Sequence, residues 1–280
     1  MQKKSLAIII ISVLVAVGAA ATFYYKSQSD LPAAAPIPPP PPTDASGDGA
    51  NSSPQYPVDA PEKSGAENEA DKTKAEAPGK PLNTKFISGD SDDTVDTILS
   101  SFIGKERLES LFFADDLVRR FVVMVNNGAD TKLPSDSALA HPMEGDMRVS
   151  QGTDNLTLSS ENFARYAAYI DLLKGMDERK LVDVYARHYP LFQKSYQDLG
   201  VRGYFNDRLV AFIDKTLAEQ DPTPPITLVK DGYYKFTDPG LEALSFSKKA
   251  LIRIGPENAA LVKEKLKVLR QLITHLNKRG

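Results

Sequence analysis

Twelve of the twenty prolines in this chain fall between residues 28 and 88, five of them unbroken from Pro38 to Pro42. Proline lacks a backbone N–H and holds φ near about −65°, so such a stretch builds neither a helix interior nor a central strand. Between Leu31 and Leu82 the only large apolar side chains are Ile37, Tyr56 and Val58, too few to offset the entropy of ordering. Residues 28–88 therefore read as a disordered Pro/Ala-rich linker, a solvated spacer in the first instance. A proline-motif ligand for an SH3-like partner is the sharper alternative for the same residues. The core must come from residues 89–280, long enough for one sizeable core or two small ones.

What precedes the linker constrains location. Ser5 to Tyr25 carry no charge, and 21 residues at about 1.5 Å each reach roughly 30 Å, the thickness of a bilayer's hydrocarbon core. Lys3 and Lys4 precede the run, while Lys26 alone follows closely. Cationic flanks favour the cytoplasm, so residues 1–27 read as a short inner stub and a transmembrane anchor, with the rest of the chain outside. Ala19-Ala20-Ala21 also offers a small-residue cleavage site, but the apolar run exceeds the usual signal-peptide core of about 7–15 residues. An uncleaved single-pass anchor in a bacterial inner membrane is the expectation, with the domain in the periplasm. No cysteine is present, which excludes disulfides, thiolate metal sites and anchoring through a lipid-modified N-terminal cysteine.

Apolar spacing predicts mostly helices. Ser91 caps one carrying Val95, Ile98, Leu99, Phe102 and Ile103; Leu117, Phe121, Met124 and Val125 mark another that stops at Asn126-Asn127-Gly128. A third, capped by Ser159 or Ser160, runs through Phe163, Tyr166, Ala167, Ile170 and Leu173. A fourth carries Leu181, Val184, Tyr185 and His188 and is expected to break or bend at Pro190, with Phe192, Tyr196 and Leu199 resuming the pattern. Phe205, Leu209, Phe212 and Ile213 line the next. Leu251 opens a short stretch, and Pro256 a terminal helix to about Asn277. Asp231-Gly232 between Ile226–Lys230 and Tyr233–Thr237 signals a hairpin. Met147–Ser150 and Leu156–Leu158 are weaker strand candidates. The fold class is thus mainly α, a compact helical domain with one small β-hairpin.

Catalytic and metal signatures are absent from the sequence. His141, His188 and His275 are the three imidazoles, none in a paired ligand spacing, so no metal site and no cofactor are expected. There is no nucleophile elbow and no glycine-rich phosphate loop. The densest unusual stretch holds Tyr185, His188, Tyr189 and Tyr196, followed by Asn206, Asp207 and Arg208. These residues suggest either a polar network satisfying helix ends inside the core or a binding groove rich in tyrosine and arginine. Residues 248–279 carry a formal +7 against −9 for residues 89–247. Lys263, Lys267 and Arg270 share one helical face, either packed against the acidic body or free to meet an anionic partner. Nucleic acid is not expected as a partner, given the overall charge of −3.

Several separated motifs carry a family resemblance over about residues 90–275: Arg119-Arg120-Phe121-Val122-Val123, Asn162 through Tyr169, Tyr189-Pro190-Leu191-Phe192, and Phe205-Asn206-Asp207-Arg208-Leu209. Tyr234 to Leu244 and Leu251 to Asn258 extend it. On these the chain resembles the domain of unknown function 3014 family of membrane-anchored bacterial envelope proteins. The resemblance implies an N-terminal span and a variable linker but supplies no activity. Where the family's pattern has a Val-Asp-Asn-type stretch, this chain reads Val125-Asn126-Asn127. The expected function is a periplasmic binding or scaffolding module, with an envelope protein, a glycan or anionic lipid as partner. The alternative is an envelope hydrolase or modifying enzyme with a site near Tyr185, His188 and Arg208.

Overall fold

The computed structural model describes residues 53–58, 104–113, 115–128, 138–152, 155–175 and 177–276. The expected span (residues 5–25), most of the linker and the Ser91-capped helix lie outside these. Among the described residues no helix is long and apolar enough to cross a membrane. The described residues form nine helices and four strands, in order α1 (Lys105–Leu111), α2 (Leu117–Asn127), β1 (Val149–Gln151), β2 (Leu156–Leu158), α3 (Glu161–Ala164), α4 (Ala167–Lys174), α5 (Glu178–Asp198), α6 (Phe205–Ala218), β3 (Thr227–Asp231), β4 (Tyr233–Phe236), α7 (Pro239–Glu242), α8 (Phe246–Ile254) and α9 (Pro256–Ile273).

Helices α2, α5, α6 and α9 pack on one another around the main core. The stripe of α2 buries Phe121, Val122, Met124 and Val125; that of α9 buries Ala259, Val262, Leu266, Leu269 and Ile273. An aromatic cluster joins α2, α5 and α6. Phe192 of α5 stacks on Phe205 of α6 at 5.9 Å, and Phe121 of α2 meets both edge-on at 5.7 Å. Each such pair adds roughly 0.5–1.5 kcal/mol beyond its buried area.

The strand content is larger than one hairpin. All four strands form an antiparallel sheet in the order β1-β2-β3-β4, with Val149 opposite Leu158, Leu156 opposite Leu228, and Leu228 opposite Phe236. Three-residue strands carry almost no periodicity, which is why the sequence shows only the turn at Gly232, whose φ of 71° suits glycine. One sheet face buries Met147, Leu158, Leu228 and Phe236 against Ile252 of α8 and Phe163 of α3.

Three helix expectations are corrected. Pro190 does not interrupt α5, which runs unbroken from Glu178 to Asp198. The missing bond falls on the Ala186 carbonyl, and Ala186 and Pro190 both have solvent access, so the lost donor lies on the flank of the helix where its absence costs least. The helix expected from Ser159 is split at Arg165-Tyr166 into α3 and α4. Helix α8 begins earlier than Leu251, because the Ser245 side chain accepts the Lys248 N–H and caps it.

Candidate functional site

Helix α6 begins without a capping side chain of its own: Tyr204 stands at the N-cap position and its side chain accepts no hydrogen bond there. Its free N–H groups must still be satisfied, and α5 does so. The Gln193 Oε1 accepts the Phe205 N–H at 2.8 Å and the Tyr189 hydroxyl at 2.8 Å, while its amide nitrogen donates to the Gly203 carbonyl. The Asn206 N–H donates to the Tyr189 oxygen at 3.4 Å.

Asn206 is the hub. Its side chain is fully buried. Its oxygen accepts the Tyr185 hydroxyl at 3.0 Å, and its amide nitrogen donates to the Ile273 carbonyl at 3.3 Å, one of the orphan carbonyls at the end of α9. The second amide hydrogen leaves the core. It reaches the Tyr56 carbonyl at 2.9 Å.

Ser53–Val58 falls within the stretch expected to be a spacer, and it lies against the domain. Asp207 accepts the Gln55 N–H on one carboxylate oxygen at 3.0 Å and the Tyr56 N–H on the other at 2.8 Å. In a strand, successive N–H groups point to opposite sides, so meeting one carboxylate requires a bend at Gln55-Tyr56, which is present. Pro54 and Pro57 have no N–H. The two donors between them are therefore both taken, by charge-assisted bonds of the strong kind. Tyr56 and Val58 pack on the main core. The Arg270 guanidinium pairs with Asp214 and also interacts with the Tyr56 hydroxyl.

The sequence candidates separate into groups. Tyr185, Tyr189, Asn206 and Asp207 come together in this site. Burial pushes Tyr189 up to about 12 and Tyr185 well above the ordinary tyrosine value. Tyr196 is buried against Phe205, one step from the network. Arg208 turns away and donates to the Asn126 carbonyl at the C-terminal end of α2, where a cation suits the helix dipole. His188 donates Nδ1–H to the Val184 carbonyl of its own helix at 2.9 Å. On the basic face, Lys263 meets Asp221 at 2.5 Å, Arg270 is bidentate to Asp214, and Lys267 is exposed.

Sequence reasoning missed Ser53–Val58 and Gln193. The only signal for the segment was that Tyr56 and Val58 are two of the three large apolar residues in their stretch. A second polar cluster was also missed. Lys248 is fully buried and donates to the Glu219 carbonyl at 2.8 Å and to Asp221 at 2.6 Å, tying α8 to the end of α6. Among the described residues no group of three or more His, Asp or Glu is placed to hold a metal ion.

No curated protein and no solved structure matches the chain. A family model described as a protein of unknown function, DUF3014, matches residues 117–270, a span that takes in α2 through most of α9 and so includes Asn206, Asp207 and Arg270. On that match over more than half its length, the chain belongs to the DUF3014 family.

Proposed function

We propose that this is a single-pass membrane-anchored envelope protein whose domain is a periplasmic binding module, with the Asn206–Asp207 face as its recognition surface. The observation that carries the reading is the grip of Asp207 on two main-chain N–H groups some 150 residues distant in sequence. A carboxylate that engages backbone donors, with an amide beside it engaging a backbone carbonyl, is the chemistry of peptide recognition rather than of bond cleavage. The groups offered for catalysis do not converge on one another: Tyr185 donates to Asn206, His188 to its own helix, and one terminal nitrogen of Arg208 to Asn126. Residues 5–25, with Lys3 and Lys4 before them, supply the anchor and its direction. Confinement to a membrane raises the local concentration of the module near envelope partners without new contacts.

The test combines topology and capture. A C-terminal reporter active only in the periplasm should be active, and in-cell crosslinking from the Asp207 face should recover an envelope polypeptide. Reporter activity confined to the cytoplasm, or crosslinks to lipid or glycan alone, would overturn it.

A further inference from the structure

We infer that Ser53–Val58 is a tethered, displaceable ligand: it closes the recognition face in cis, and the face is selective for bent peptides of the Pro-x-Tyr-Pro-Val kind. This rests on the binding-module reading and adds to it the ligand class and a mode of regulation.

The bonding pattern defines the class. The face offers one carboxylate for two successive N–H groups and one amide hydrogen for the next carbonyl. A ligand must therefore present two adjacent donors on the inside of a bend. Pro54 and Pro57 flank those donors, and proline on both sides fixes φ and lowers the entropy lost on docking. Side-chain selectivity comes from the two anchors, Tyr56 and Val58, which pack on the core. Arg270 beside the Tyr56 hydroxyl selects an aromatic residue with a polar tip over phenylalanine. Gln55 contributes an N–H, while its side chain bonds within the segment, to the Tyr56 hydroxyl, and to no described residue of the domain, so the x position is permissive.

The same pattern argues for displacement. Tyr185, Tyr189 and Gln193 complete the helix ends without the segment, so its departure breaks no bond within the domain core other than the outward-facing one from Asn206. Asp207 and Arg270 both have solvent access and rehydrate on release. Three main-chain bonds and two side chains make a small contact set, held because covalent tethers impose local concentrations on the order of millimolar. A competitor of the same chemistry needs to exceed that figure. Release also changes reach: residues 26–52 span at most about 90 Å from the proposed anchor, whereas residues 26–88, the whole of the expected linker, span at most about 210 Å.

The chain contains no cysteine, so paired spin labels are straightforward to place. In the full chain in lipid nanodiscs, labels at Ser53→Cys and at exposed Gln271→Cys on α9 report docking as one narrow distance. Blocked synthetic peptide covering residues 51–60, at about tenfold above the local concentration, should broaden that distance, and a scrambled peptide should not. Tyr56→Ala should lower the docked fraction at least fivefold, as should Asp207→Asn; the first lies outside the helical core and leaves folding intact. A broad distance in the starting chain overturns the proposal. So does a narrow one that the matching peptide never shifts, because the segment is then a permanent strap. A distance signal from mixed, singly labelled chains overturns the cis assignment. None of these outcomes depends on the topology reporter, so failure here is distinguishable from failure of the membrane-module reading.

Discussion

The buried amide of Asn206 donates to the carbonyl of Tyr56, 150 residues earlier in the chain, while its oxygen accepts the hydroxyl of Tyr185 in the core. One side chain thus links the interior network to the surface where the segment docks. Asn206→Ala strands the Tyr185 hydroxyl and the Ile273 carbonyl, both in buried surroundings. A loss of about 2–4 kcal/mol is expected in urea unfolding. A loss below about 0.5 kcal/mol would show that the network does not hold α5, α6 and α9 together.

Gly255 joins α8 to α9 at a φ of 91°, and a Cβ there would sit 2.4 Å from the Phe163 ring. Gly255→Ala is therefore strained twice, by backbone and by contact. It should cost about 2–4 kcal/mol. In a Phe163→Ala background the same change should cost less, leaving only the backbone part. Equal costs in both backgrounds would mean that the ring contact contributes nothing.

Pro190 is a place where a helix former should improve the domain. Pro190→Ala restores an N–H opposite the Ala186 carbonyl inside α5 and is expected to stabilise by roughly 1–2 kcal/mol, read as a higher thermal midpoint. A lower midpoint would mean that the proline-shaped helix is needed to aim Tyr189 and Gln193 at α6.

Alkaline pH should unfold the domain through its tyrosines. Burial holds Tyr189 up at about 12 and raises Tyr185 and Tyr169 as well, against about 10 in an unfolded chain. The folded state keeps these protons where the unfolded chain releases them. Their contribution is complete below about pH 10 and falls away as pH rises through about 12. Tyrosinate absorbance should rise together with loss of helical circular dichroism. Tyrosinate appearing near pH 10 with the helices intact would contradict the buried network.

Lys248 is taken out of water by α6 and α8, which lowers its proton affinity, with Asp221 acting in the opposite direction. Asp221→Asn removes that support. Asp221 is itself 64% exposed in its side chain, so solvent screens the pair and the expected loss at neutral pH is about 1 kcal/mol. Because the folded state then binds the lysine proton more weakly than the unfolded chain, stability should rise as pH climbs toward about 10. Lys248→Met should be close to neutral. A Lys248→Met loss larger than that of Asp221→Asn would show that the ammonium contributes net stability.

Much of the helical frame was legible because it follows from the chain's own periodicity. The stripes on α2, α5, α6 and α9 recur every three to four residues and had to face one core. The Tyr-Asn-Asp cluster was visible for the same reason, as polar groups recurring on an otherwise apolar frame that needed partners. What no local pattern carries is the pairing itself. Strands of three residues are too short to show a period, so β1 and β2 depend on β3 for their place in the sheet. Pro190 could stay in α5 because its flank faces water, which only packing determines. Ser53–Val58 owes its position to Asp207 and Asn206, whose carboxylate and spare amide hydrogen become available only after α5, α6 and α9 have used up the other donors and acceptors around them. Periodicity is a property of neighbours along the chain; which hydrogen-bonding groups remain unmatched is a property of the folded whole.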